Sequence, residues 1–147
     1  MSRWARRRDE RGSAVVEFVV LSVVLLIPLV YLVLVLGRVQ AGAYAASTAA
    51  REAGRAFVTA PSAALAEPRA RAAAAIAFAD QGFDSGGTLT ISCDASVCLR
   101  PDGRVALHTR VEVPLPLVPS FARDVVPLVV PIEADQVVVV DRFRSIP

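Results

Sequence analysis

Phe18 to Leu36 reads FVVLSVVLLIPLVYLVLVL, nineteen residues without a charge. As a helix rising 1.5 Å per residue it spans about 28 Å, close to the thickness of a bilayer core. A soluble protein would need a large surrounding core to bury such a helix, and a chain of 147 residues has no such reserve. The stretch is therefore read as a membrane span. Extending it back to Ala14 brings in Glu17, an ionised group that costs about 3 kcal/mol at mid-depth and less near the helix end. Pro28 removes one backbone donor and crowds the carbonyl of Val24, so a bend is expected there.

Arg3, Arg6, Arg7, Arg8 and Arg11 precede the span and Arg38 alone follows closely. By the positive-inside rule the N-terminus stays in the cytoplasm and the chain beyond Gly37 lies outside it. Ala41-Gly42-Ala43 imitates a signal-peptidase site. The apolar run, however, exceeds the about 7 to 15 residues of an export signal. Residues 1–12 hold five Arg against Asp9 and Glu10, so the basic charge sits in a short N-terminal tag. A tag of this kind does not make a nucleic-acid surface, and nucleic acid is set aside as a partner. Every basic residue is Arg, and neither Lys nor Asn occurs, a pattern of codon composition rather than chemistry.

The junction before the span is Arg11-Gly12-Ser13-Ala14-Val15-Val16-Glu17-Phe18. It resembles the processing site of type IV pilin-like precursors: a basic leader, Gly at the cut, a small residue next, and Glu five residues into the mature chain. The resemblance implies a prepilin peptidase as partner, cutting between Gly12 and Ser13 and leaving the helix in place. Glu17 would then pair with the new amine of Ser13, in the same or a neighbouring subunit, which lowers the cost of holding either charge at the membrane boundary. Gly12 suits a scissile position because no side chain clashes with a protease cleft.

Beyond the span, Gln40 to Phe57 is rich in Ala and free of Pro, so the helix is expected to continue to about Phe57 as a stalk. Its segment Ala49-Ala50-Arg51-Glu52-Ala53-Gly54-Arg55 is similar to the one that follows the membrane helix in the TadE-like pseudopilins of tight-adherence pilus systems. The resemblance covers residues 11–57. Small residues along a long helix permit close helix packing. Arg51 and Arg55 lie four apart on one face with Glu52 alongside, a candidate assembly contact or a solvated face.

The remainder reads as an α+β head. Pro61 interrupts the first helix, and Glu67-Pro68 followed by RARAAAAIAFADQG predicts a second one. Pro68 is expected in its first turn and Gly82 as its stop, with Ile76 and Phe78 as the larger apolar residues. Thr88–Cys93 alternates Leu89, Ile91 and Cys93 against Thr88, Thr90 and Ser92. After a Pro101-Asp102-Gly103 turn, Arg104–Val113 alternates Val105, Leu107, Thr109, Val111 and Val113 against Ala106, His108, Arg110 and Glu112. Pro114, Pro116 and Pro119 end that strand, a proline-punctuated segment runs through Pro127 and Pro131, and Val137–Val140 is the expected last strand. These elements make a small antiparallel sheet packed on helix. Three domains are expected: a basic leader at 1–12, a transmembrane helix and stalk at 13–57, and an extracytoplasmic head at 58–147.

Cys93 and Cys98, outside the cytoplasm by the orientation argument, are expected to form a disulfide. Structural zinc wants four ligands and the chain has only three Cys and His residues in all. Redox catalysis favours Cys-x-x-Cys, a different spacing. His108 falls on the polar strand face beside Arg110. Asp84, Asp94 and Asp102 are explained by turns, and Gly86-Gly87 lacks the Lys of a phosphate loop. No catalytic residue, metal, cofactor or small-molecule substrate is expected. The chain reads as a single-pass pseudopilin whose partners are the membrane, the prepilin peptidase and other pilus assembly proteins. The rival reading is an uncleaved bitopic protein whose head binds a cell-envelope ligand; an anchored hydrolase is a third.

Overall fold

The computed structural model describes residues 6–116 and 129–144, with side chains from Ala14 onward. The chain divides into a first unit, Met1–Leu36, and a second, Gly37–Pro147. Helix α1 runs Arg6–Val58 and is continuous through Pro28. Within the first unit its aliphatic side chains from Val15 to Leu36 are exposed apart from half-buried Val35, and none of its most apolar stretch is buried by protein.

The second unit is two layers: helix on one face of a three-stranded sheet. Residues 37–57, expected as a stalk, belong to this unit and supply part of its core. The buried positions Ala45, Ala46, Ala49, Ala53 and Phe57 recur at three and four residues, one stripe of a helix. Because that stripe is nearly all Ala and Gly, the backbone of α1 approaches the sheet closely. A Cβ on Gly42 would lie 2.3 Å from Val113 Cγ2, and one on Gly54 would lie 2.8 Å from Val138 Cγ1. Thr109, fully buried, donates its hydroxyl to the carbonyls of Ala46 at 2.9 Å and Ala134 at 3.1 Å. A hydroxyl in an apolar layer is tolerable because it is satisfied there.

Helix α2 runs Ala63–Asp80, after Ser62 in extended conformation. It starts earlier than the Glu67-Pro68 signal suggested, so Pro68 lies inside it, and the carbonyl of Ala64 receives no helical N–H from Pro68. The Ala-rich turns before Pro68 favour helix strongly enough to extend it backwards. The inner face is Ala66, Ala70, Ala74, Ala77 and Phe78, whereas Ile76 points outward at 63% exposure. Gly82 does stop the helix: at φ 77° its N–H meets Ala79 O, and the next N–H, of Phe83, reaches back to Phe78 O.

Strands β1 (Gly87–Cys93), β2 (Arg104–Pro114) and β3 (Val129–Val139) pair antiparallel in that order. In β2 the expected alternation holds at every residue from Val105 to Val113, the buried side chains facing the helices. The last strand is much longer than Val137–Val140. It starts at Val129 and includes Pro131, and Val140 lies just beyond it, its N–H bonded to Gly103 O. Pro131 opposes Glu112, whose N–H is used towards Gly86 on the β1 side. By the alternation of the ladder, the nitrogen of Pro131 then faces the outer edge of β3, where no ladder bond is lost. Pro119 and Pro127 lie outside the described residues. The turn before β2 closes through Gly103 N–H to Arg100 O, with Pro101 and then Asp102 at φ 57° in its centre.

Candidate functional site

The sequence-predicted residues fall into three separate places. Gly12 and Ser13 lie in the backbone of α1, with their side chains outside the described residues, and Glu17 is exposed on that helix among exposed Val16 and Phe18. A helix presenting Val, Leu and Ile on all sides is stable in lipid and costly in water, and Ala14–Val58 contains a stretch long and apolar enough to cross a membrane.

Arg51, Glu52 and Arg55 form the second place. All three are exposed, on the side of α1 away from Ala49, Ala53 and Gly54. Arg51 is held by Ser47, donating to its carbonyl at 3.2 Å and its hydroxyl at 3.3 Å. The small-residue stripe, which the sequence suggested for packing between chains, is consumed within the head against its own sheet. What α1 offers outward in this unit is instead mainly polar, Arg38, Gln40, Thr48, Arg51, Glu52 and Arg55, with Tyr44 exposed among them.

The third place is the loop between β1 and β2. Cys93 and Cys98 have their sulfurs 2.06 Å apart and their Cα atoms 5.3 Å apart. The loop they close places Leu99 in the core and is crossed by an ion pair of Arg100 with Asp94 at 2.8 Å. Replacing both cysteines by Ser should lower stability by about 2 kcal/mol, since a loop this short restricts the unfolded chain only modestly. Urea unfolding of the full chain in detergent, with and without reductant, reads the loss. The double variant should no longer respond to reductant.

His108 stands on the outer sheet face, its Nδ1 2.9 Å from Asp135 Oδ1, directly across the strand pair. Arg110 and Glu133 form the next cross-strand pair at 2.9 Å. Both pairs are open to solvent on the outer side of the sheet, which also exposes Val129, Val137 and Val139 of β3. Among the described residues no three His, Cys, Asp or Glu side chains gather as a metal-ligand set.

Two features escaped the sequence. One is a cleft of about 340 Å³ beside the disulfide, with an apolar wall of Phe57, Ile91, Val97 and Leu99 and with Glu67 and Arg71 at its rim. The other is the turn Asp141–Arg144. There Arg144 donates through its guanidinium to the carbonyls of Val58 and Ala60, capping the C-terminal end of α1 with a cation. An Arg near the end of a chain carries no signal of its own, because its acceptors are backbone atoms more than eighty residues away.

Comparison with known protein families, with characterised proteins and with solved structures returns no match.

Proposed function

We propose that the protein is a non-catalytic, membrane-anchored pseudopilin of TadE-like type, processed by a prepilin peptidase between Gly12 and Ser13 and acting in assembly of a tight-adherence pilus. The observation that carries this reading is the lone carboxylate Glu17, the fifth residue of a chain cut after Gly12, at the start of a span whose aliphatic side chains are largely left uncovered by protein. An ordinary anchor gains nothing from a carboxylate in that position. A new amine one helical turn away explains it, because the pair partly offsets the desolvation each charge would suffer alone.

In this reading the N-terminus is cytoplasmic and the head, Gly37 onward, is outside. Contact is the work of the protein. Since Ala45, Ala46, Ala49 and Ala53 are committed to the sheet, the surfaces left for partners are the apolar span, the Arg51–Glu52–Arg55 face and the head's own surface. The uncleaved bitopic alternative predicts the same membrane insertion and differs at the leader.

Intact mass and N-terminal sequencing of the protein purified from membranes, with and without a co-expressed prepilin peptidase, separate the two. A mature chain starting at Ser13, blocked in Gly12→Leu, is expected. Retention of residues 1–12 under both conditions would leave a plain anchor. A start near Tyr44 would mean an exported soluble domain.

A further inference from the structure

A sheet edge presents main-chain N–H and C=O groups to whatever lies beside it, and the two edges of this sheet are finished differently. At the β1 edge Arg71 Nη1, its guanidinium held by Glu67 at 2.7 Å, donates to the outward carbonyl of Leu89 at 3.3 Å. The ring of Phe78 from α2 lies against Gly87 of the same strand. The β3 edge has no such cover among the described residues. Val140 bonds towards the β2 side with both its N–H, to Gly103 O, and its carbonyl, from Asp102 N–H, and Ala134 O accepts the Thr109 hydroxyl on that side. By the period of two, Val129, Pro131, Glu133, Asp135, Val137 and Val139 turn their main-chain groups outward.

Pro131 has no N–H to give, so the open run is Glu133 to Val139. One outward carbonyl in it, that of Val137, takes the neighbouring Gln136 side-chain amide at 3.2 Å. Acids on an edge usually repel a second strand. Here Glu133 is already paired with Arg110, and Asp135 with His108. Beyond them Val137 and Val139 are 58% and 56% exposed. Open main-chain groups along such a run are matched by another extended strand. At the same end of the outer face, exposed Arg104 stands opposite Val139, and no carboxylate lies within ion-pair reach of it among the described residues.

We propose that the edge from Glu133 to Val139 pairs antiparallel with the same run of a second copy of this chain, about a two-fold axis at Gln136, joining the two sheets into one. Main-chain bonds then link Asp135 to the partner's Val137 and Glu133 to the partner's Val139, and Gln136 faces its own counterpart. Charge selects this register. An axis at Glu133 or Asp135 sets an acid against itself, and one at Ala134 opposes Glu133 to Asp135. An axis at Val137 or Val138 brings Glu133 or Asp135 against Asp141, and one at Ile132 spends Pro131 on a bond it cannot make. With the axis at Gln136 the partner's Glu133 stands beside Val139 and two strands from Arg104, about 10 Å between backbones, a gap that two long side chains span. Arg104 thereby gains the carboxylate it lacks in its own chain, which is what favours a second copy over a strand of unrelated sequence. The contact uses the head alone and does not depend on leader processing or on the pseudopilin reading.

The test uses the full chain in detergent micelles, where the two native cysteines are already paired and an added thiol stands alone. Gln136→Cys is expected to give a disulfide-linked dimer on mild oxidation, its bond mapped to position 136 of both chains by mass spectrometry. Ala134→Cys and Val138→Cys should not link singly, and the double variant should link 134 of one chain to 138 of the other. Val137→Pro removes an outward N–H that serves no bond within the chain. It should weaken dimerisation at least tenfold in sedimentation at graded dilution and leave the unfolding midpoint of the head in place, as should the gentler Val137→Lys. Arg104→Glu should also weaken dimerisation, and Arg104→Gln less so. Association through the apolar span would survive all these changes and show no preference for position 136. Equal dissociation constants for the native, Val137→Pro and Arg104→Glu chains, or equal cross-linking from 134, 136 and 138, would each overturn the proposal. A native chain that stays monomeric throughout would overturn it too, leaving the edge to a strand of another protein.

Discussion

Gly42→Leu should unseat the helix from the sheet, lowering the stability of the head by about 3 kcal/mol or more. A Cβ at Gly42 meets Val113 Cγ2 at 2.3 Å and Ile132 Cδ1 at 3.0 Å before any further atom is added. Val113 cannot yield easily: it is fully buried and β-branched, so its χ1 is restricted and its neighbours surround it. Overpacking a close-packed layer costs about 1 to 3 kcal/mol where neighbours shift, and more where they cannot. Gly37→Leu is the control, because nothing lies within 4 Å of a Cβ there. That change should be neutral or slightly stabilising, by up to about 1 kcal/mol, from helix propensity alone. Pulse proteolysis of the full chain in detergent across a urea series measures both. Equal midpoints for the two variants would show that α1 does not sit on the sheet through Gly42.

The second large effect is expected at Leu107, on the central strand and almost completely buried. Leu107→Ala should cost about 3 kcal/mol, the transfer of the lost methyl groups plus the cavity they leave. The cavity opens directly beneath α1, since a Cβ on Gly54 would lie 3.2 Å from Leu107 Cδ1. Gly54→Ala alone should therefore destabilise through crowding against Leu107 and Val138. In the Leu107→Ala background it should be milder, giving a coupling of at least about 0.5 kcal/mol. Additive losses in the same unfolding measurement would place the two residues out of contact.

Much of the head was legible because its strands obey a strict period of two. Leu89, Ile91 and Cys93 on β1, and Val105 to Val113 on β2, face the helices as their alternation requires, since one side of the sheet is covered and the other is wet. The helix ends were less legible. Pro68 looks like a first-turn proline, yet the helix begins at Ala63, because a run of alanines carries helix propensity past a signal that normally marks a start. The length of β3 was hidden by Pro131, which argues against a strand everywhere except at an edge. Thr109 could be placed on the inner face, but not the two carbonyls that satisfy it.

The alanine stripe of α1 shows most plainly where sequence stops. Small residues at three and four spacing say that something approaches this helix closely; they do not say what, because a membrane neighbour, another subunit and the chain's own sheet all demand the same absence of side chains. Only the fold decides among them, and it gives the stripe from Gly42 to Phe57 to β2 and β3. The apolar span, the helical continuity to Val58, the inward face of β2 and the closeness of Cys93 to Cys98 follow from periods and spacings along the chain, which are local and therefore readable. The use of the small-residue face, the clamp of Arg144 on the end of α1, and the cleft beside Phe57 come from segments far apart in sequence. Their contacts depend on where the chain returns, which no local pattern records.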